Sequence, residues 1–236
     1  MLANTELYLL HGWGYDSSVW TPWLSAIKAD VTPYIYDRGY FKTNKQNFSF
    51  NISGSFKIVI AHSLGLHYLS ASDFNQIHML VLIGSFQNFH ECSANYKLSK
   101  KQIAIMQKQL LTEPKQLLQD FYSNCDMKHS ALNHPLMSTQ LLSDDLWLLD
   151  NVQINIDLLK PIKQVLLLHG SNDTIVDIEH SKLLNKQLPN SKMFIHRKAG
   201  HALPFSNRLW CLNTIQSQLD TKILIEPATL TKVASQ

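Results

Sequence analysis

The chain has 236 residues, 45% hydrophobic and 17% charged, with a net charge of +3 and three cysteines. That length suffices for a large core in one domain, and the balance argues against a disordered or fibrous chain. The small charge, with no basic cluster interleaved with aromatics, gives no ground for nucleic-acid binding.

No apolar run reaches membrane-spanning length, and the start, MLANTELYLL, lacks a basic leader and a cleavage site. Cys92, Cys125 and Cys211 are too scattered for a disulfide framework or metal spacing, so a reducing, cytoplasmic setting is expected. The eleven histidines are neutral in the charge count, so mild acid is expected to make the protein more basic.

In chain order, Glu6 to Leu10 reads as a buried strand running into His11-Gly12-Trp13-Gly14. Trp20 to Lys28 has helical spacing, and Val31 to Tyr36 is a second strand stopped by Asp37-Arg38-Gly39. Residues 57–61 form a third, continuous rather than alternating in its apolar residues, followed by a helical pattern from Leu64 to Phe74. Residues 79–83 form a fourth strand, closed by Gly84-Ser85. Then Lys100 to Leu111, Pro114 to Tyr122 and Leu141 to Leu149 show helical spacing without a convincing strand. Strands return at Gln164 to Leu168 and Lys192 to His196, with a helix at His180 to Gln187 between them.

Apolar strands alternating with helices predict an α/β fold whose mostly parallel sheet is covered on both faces. The expected division is a core over 1–86 and 156–220, a helical cap over 87–155, and a tail over 221–236. The cap is expected over the C-terminal edge of the strands, where such sheets carry their sites.

Ser63 stands between the third strand and the pattern after it, with small residues at Ala61 and Gly65. A strand, a sharp turn and a helix with serine at the tip form a nucleophile elbow. Such a serine needs a base, and the base an orienting carboxylate, in the chain order serine, acid, histidine. Asp173 follows the strand QVLLLHG and His201 follows KMFIH, both in loops at strand ends. Taken singly, Asp173 reads equally as a turn residue, and His201 more often as a surface or packing histidine. Their concurrence with Ser63 at one sheet edge is the argument. Asp177 is a rival acid, better read as a helix cap, and His62 is read as a pocket-wall residue. The other histidines lack ligand spacing, so neither metal nor cofactor is expected. Backbone N–H groups of Leu64 and Trp13 are the candidate donors to a developing oxyanion.

At LLHGWGYDSSVW, AHSLG, LVLIGSF, MQKQLLTEPKQLLQDFY, SDDLWLLDNVQINIDL and AGHALPF the chain resembles the α/β-hydrolases. More narrowly, it resembles the pimeloyl-[acyl-carrier protein] methyl ester carboxylesterases of biotin synthesis, to about residue 215. The resemblance implies that Ser63 attacks the methyl ester of a pimeloyl group on acyl carrier protein, with His201 as base and Asp173 holding it. Trp13, Leu64, Phe121 and His201 would contact substrate, Phe121 lining the acyl channel. Departures are Ala61, His62 and Leu66 where the family has Gly, Trp and Gly. A cap without arginine also departs from relatives that grip the acidic carrier with arginines; Gln116 and Asp120 stand in the matching region. Lys97, Lys100, Lys101, Lys108 and Lys115, opposed only by Glu113, are the candidate substitutes. Competing expectations are an acyl thioesterase or broad short-chain esterase, and a non-catalytic binding scaffold. A monomer is expected.

Overall fold

The computed structural model describes residues 5–42, 48–51, 56–92, 96–127, 136–220 and 223. Six parallel strands make one sheet in the order β2-β1-β3-β4-β5-β6. These are β1 (Thr5–Leu10), β2 (Val31–Tyr36), β3 (Phe56–His62), β4 (Met79–Ile83), β5 (Gln164–Gly170) and β6 (Ser191–His196). Every strand expected from the sequence is present, within two residues at its ends.

The unbroken apolar runs follow from two separate cores. Leu7, Leu9, Ile58, Ile60, Val81, Ile83, Leu166 and Leu168 pack on one face. Their neighbours Tyr8, Leu10, Val59, Ala61, Leu80, Leu82, Val165 and Leu167 pack on the other. Successive side chains point to opposite faces, so a strand covered on both must be apolar throughout. From β1 the chain steps to β2 on one side and returns to β3 on the other. The strand order therefore reverses between β1 and β3, where an open parallel sheet leaves a crevice at its carboxyl edge.

Two expected helices are broken. Trp20 to Lys28 is a 3-10 turn over Ser17–Trp20 followed by α1 (Thr21–Leu24). Asp16 accepts from the Ser18 amide at 2.8 Å and the Ser25 hydroxyl donates to the Pro22 carbonyl at 3.1 Å. These side chains satisfy backbone groups that a longer helix would use. Leu64 to Phe74 likewise divides into a 3-10 helix over Ser63–Tyr68 and α2 (Ala71–Phe74). Leu69 between them is extended, with ψ 133°, and Asp73 reaches back to the Ser70 amide at 2.7 Å, restarting the helix.

Between β4 and β5 lie α3 (Tyr96–Thr112), α4 (Pro114–Asn124) and α5 (Thr139–Asn151). Then come α6 (Ile178–Gln187), α7 (Leu203–Ser206) and α8 (Arg208–Gln216). Asp177 caps α6, accepting from the Glu179 amide at 2.9 Å. The expected tail lies outside the described residues except Ile223. Ile223 is buried and accepts from the Lys28 amide at 3.0 Å, so the chain is anchored there.

The inserted helices are fastened to the loops after β1 and β2. The Arg38 guanidinium meets the Asp145 carboxylate of α5 with two bonds, 2.7 and 2.6 Å, and the Tyr40 hydroxyl donates to the same carboxylate at 2.6 Å. The Tyr122 hydroxyl donates to the Gly14 carbonyl, and the Ser138 amide to the Tyr40 carbonyl at 2.8 Å. Asp145 is 1% exposed and Arg38 13%, so truncating Asp145 leaves a partly buried cation without its carboxylate. Asp145→Ala should cost about 3–5 kcal/mol, read from denaturant unfolding. A loss below about 1 kcal/mol would mean that water solvates the pair.

Candidate active site

Ser63 follows the last residue of β3 with φ +53°, a left-handed conformation rare for a residue with a side chain. Such strain costs on the order of 1–3 kcal/mol and persists only where neighbours impose it. The neighbours are close here. A Cβ on Gly65 would lie 2.8 Å from the Leu10 carbonyl oxygen, and one on Gly12 would lie 2.9 Å from the Ser63 Cβ. Gly65 is thus small because it abuts the end of β1.

His201 and Asp173 lie side by side. The His201 Nδ1 is 2.8 Å from Asp173 Oδ2, and both side chains are at most 1% exposed. Asp173 Oδ1 accepts from the amides of Ile175 and Val176, each at 2.9 Å. Burial pushes the Asp173 carboxyl up, but the His201 charge and hydrogen bond, His169 and the Val176 amide together bring it below its ordinary value. An ionised Asp173 fixes the proton on His201 Nδ1. His201 Nε2 then carries a lone pair, and it has no protein partner among the described residues. The structure joins acid and histidine but draws no hydrogen bond from Ser63 to His201, a contact that often tightens only with substrate.

Gly84, at the end of β4, has φ +54°, and a Cβ there would stand 3.2 Å from Asp173 Oδ2 and 3.4 Å from His201 Nδ1. It leaves room for the pair from below.

A cavity of about 490 Å³ opens beside Ser63. Ile103, Met106, Leu117, Phe121, Leu146 and Leu149 of the inserted helices line it, with Trp13 from the loop after β1. Phe121 and Trp13 thus both border this space, their rings edge to face at 5.0 Å. Leu64 and His201 do not line this space; both side chains are buried. The Trp13 indole donates to the Leu142 carbonyl at 2.9 Å, while its backbone N–H is spent on no protein acceptor among the described residues.

His62 corrects the sequence reading. It lines no part of the cavity but lies wholly buried, its Nε2 donating to the His201 carbonyl at 3.0 Å and its ring 4.8 Å from the His201 ring. It supports the loop that carries His201. On the outer surface, Lys97, Lys101, Lys108 and Lys115 are exposed. Lys100 instead pairs with Asp150 at 3.2 Å and donates to its carbonyl.

Among solved structures the fold matches an esterase from Exiguobacterium antarcticum with TM-score 0.73 at 14% identity, covering 94% of each chain. A bromoperoxidase from Bacillus anthracis gives 0.72 at 15%, covering 90% of this chain and 91% of that one. MenH from S. aureus gives 0.71 at 17%, covering 92% and 94%. The fold is that of the α/β-hydrolases. No family model matches the chain. Two curated relatives, both pimeloyl-[acyl-carrier protein] methyl ester esterases, share part of its sequence. That of Vibrio parahaemolyticus is 22% identical over 232 residues and that of Vibrio atlanticus 23% over 240, each match covering 85% of this chain and 88% of the relative.

Sequence reasoning missed three features of this rim: Gly84 close to the pair, His62 bonded to the His201 carbonyl, and His169 beside Asp173. Only the Gly84-Ser85 stop after a strand carried a local signal. The histidines are also mostly unavailable to mild acid, contrary to expectation. Burial draws His67 and His180 down to about 4 and lowers His11, His62, His78, His90 and His169. Bases neutral in the fold but ordinary when unfolded stabilise fully above about pH 6.5 and lose that contribution as pH falls toward 4. Stability should drop by more than about 2 kcal/mol between pH 7 and 5. Denaturant midpoints at the two values check this, and equal midpoints would contradict it.

Proposed function

We propose that the chain is a serine carboxylesterase with Ser63, His201 and Asp173 as its triad. The observation that carries this reading is a strained serine at the tip of β3, on the same sheet edge as a buried histidine–carboxylate pair. His201 Nε2 takes the Ser63 proton as Oγ attacks the ester carbonyl. The oxyanion is received by the N–H groups of Leu64 and Trp13, each such donor being worth about 3 kcal/mol of barrier. The alkoxide leaves as alcohol with the proton from His201. Water, deprotonated by His201, then attacks the acyl-enzyme, releasing the carboxylate and restoring Ser63.

Ser63→Ala should lower turnover of a short p-nitrophenyl ester at least about 10⁴-fold with the fold intact. Retained turnover in the folded variant would remove Ser63 as nucleophile.

The substrate proposed is a pimeloyl methyl ester on acyl carrier protein, as the names of the two relatives and their match over most of both chains suggest. In this reading residues 87–155 act as the cap. Its apolar lining, Phe121 included, takes a straight methylene chain beside Ser63. Lys97, Lys101 and Lys108 on α3 are spaced by four and seven residues and so share one face, offering a cationic stripe to an acidic carrier. Lys115 adds an exposed cation at the start of α4, and Lys100 is left out because it is held by Asp150. Reversing Lys97, Lys101 and Lys108 to Glu should slow carrier-linked substrate about tenfold or more and leave a free methyl ester unchanged. Equal effects on both would reject the docking face.

A further inference from the structure

His169 sits next to last in β5, buried on all sides, four residues before Asp173. Its Nδ1 is 2.7 Å from the Ser181 hydroxyl of α6 and its Nε2 is 2.9 Å from the Val176 carbonyl. A carbonyl only accepts, so the proton is on Nε2, and Nδ1 accepts from Ser181. That same Nε2 lies 3.5 Å from Asp173 Oδ2, the oxygen that receives His201 Nδ1–H at 2.8 Å. Four side chains thus contact one another in succession: Ser181, His169, Asp173 and His201.

We propose that His169 is a positioning residue for the Asp173–His201 pair, its Nε2–H shared between the Val176 carbonyl and Asp173 Oδ2. The assignment rests on the triad reading above. Through Val176 the imidazole holds the turn whose amides clasp Asp173 Oδ1. Through Oδ2 it draws on the carboxylate charge that would otherwise act wholly on His201, and so moderates the basicity of Nε2. The groups facing His169 are Asp173 in its own loop, Asp177 at the start of α6, His180 on α6 and His201 after β6. Burial keeps His169 neutral despite the two carboxylates. A neutral ring lends one proton without becoming a rival cation beside Asp173.

The test compares His169→Ala and His169→Gln in the full chain with a short p-nitrophenyl ester, after circular dichroism and thermal melting have verified the fold. In His169→Ala, kcat should fall about 10–100-fold with KM nearly unchanged, the usual scale for groups that orient a reacting residue through another. The acid limb of kcat/KM should move up by roughly half a unit as the full Asp173 charge returns to His201. The amide of His169→Gln replaces the donor, so kcat should recover to within about threefold and the limb should return toward wild type. A folded His169→Ala with unchanged kcat and acid limb overturns the assignment. So does a loss of activity equal in both variants with the limb unmoved, which marks a purely structural residue. Should His169→Ala not fold, a His169→Gln with wild-type kcat and limb supports the shared donor, and one with depressed kcat overturns it. Ser63→Ala run in parallel separates the failures: an active Ser63→Ala defeats the triad reading, whereas an inactive one beside a wild-type His169→Ala defeats only the role of His169.

Discussion

The rim of this sheet depends on a backbone angle. Ser63 is held at φ +53° because β3 cannot yield. It pairs with β1 on one side and β4 on the other, and both of its faces are buried. An edge strand would relax into an extended end and lose the sharp turn that holds Ser63 beside the cavity. Here the loop after β1 closes over the turn, with Gly12 and Gly65 admitting contacts that no larger residue would allow. The strain is small beside the burial that enforces it, which is why a serine rather than glycine can stand there.

The strands were legible in the sequence because the physics behind them is simple. Five residues such as Met79 to Ile83, apolar without interruption, suit only a strand covered on both faces. The positions of Asp173 and His201 followed, since each comes just after such a run. Helices near the rim were less legible. Leu66 and Leu69 have helical spacing, yet the chain turns as a 3-10 helix and breaks before Ser70, because Asp73 offers the Ser70 amide a better partner than the preceding turn. Periodicity reports which residues are buried, and a tight turn packed against β1 buries the same ones.

What stayed illegible depends on contacts between distant segments. Nothing near His62 in the sequence announces the carbonyl of His201, and nothing near His169 announces the hydroxyl of Ser181. Histidine is ambiguous alone: exposed it is a titrating base, enclosed it is a neutral hydrogen-bonding plate. The count of eleven pointed to the first kind, whereas the fold makes most of the described ones the second. Charge on the inserted helices needed the same correction, since Lys100 is drawn onto Asp150 while Lys97, Lys101 and Lys108 face outward.

Trp13 belongs to two layers of the molecule at once. Its indole is tied to Leu142 and leans on Phe121, both on the inserted helices, while its main chain continues directly from the strand beside Ser63. Roof and floor of the chamber thus share a single amino acid. A displacement of these helices would therefore reach the turn beside Ser63 through one rigid ring.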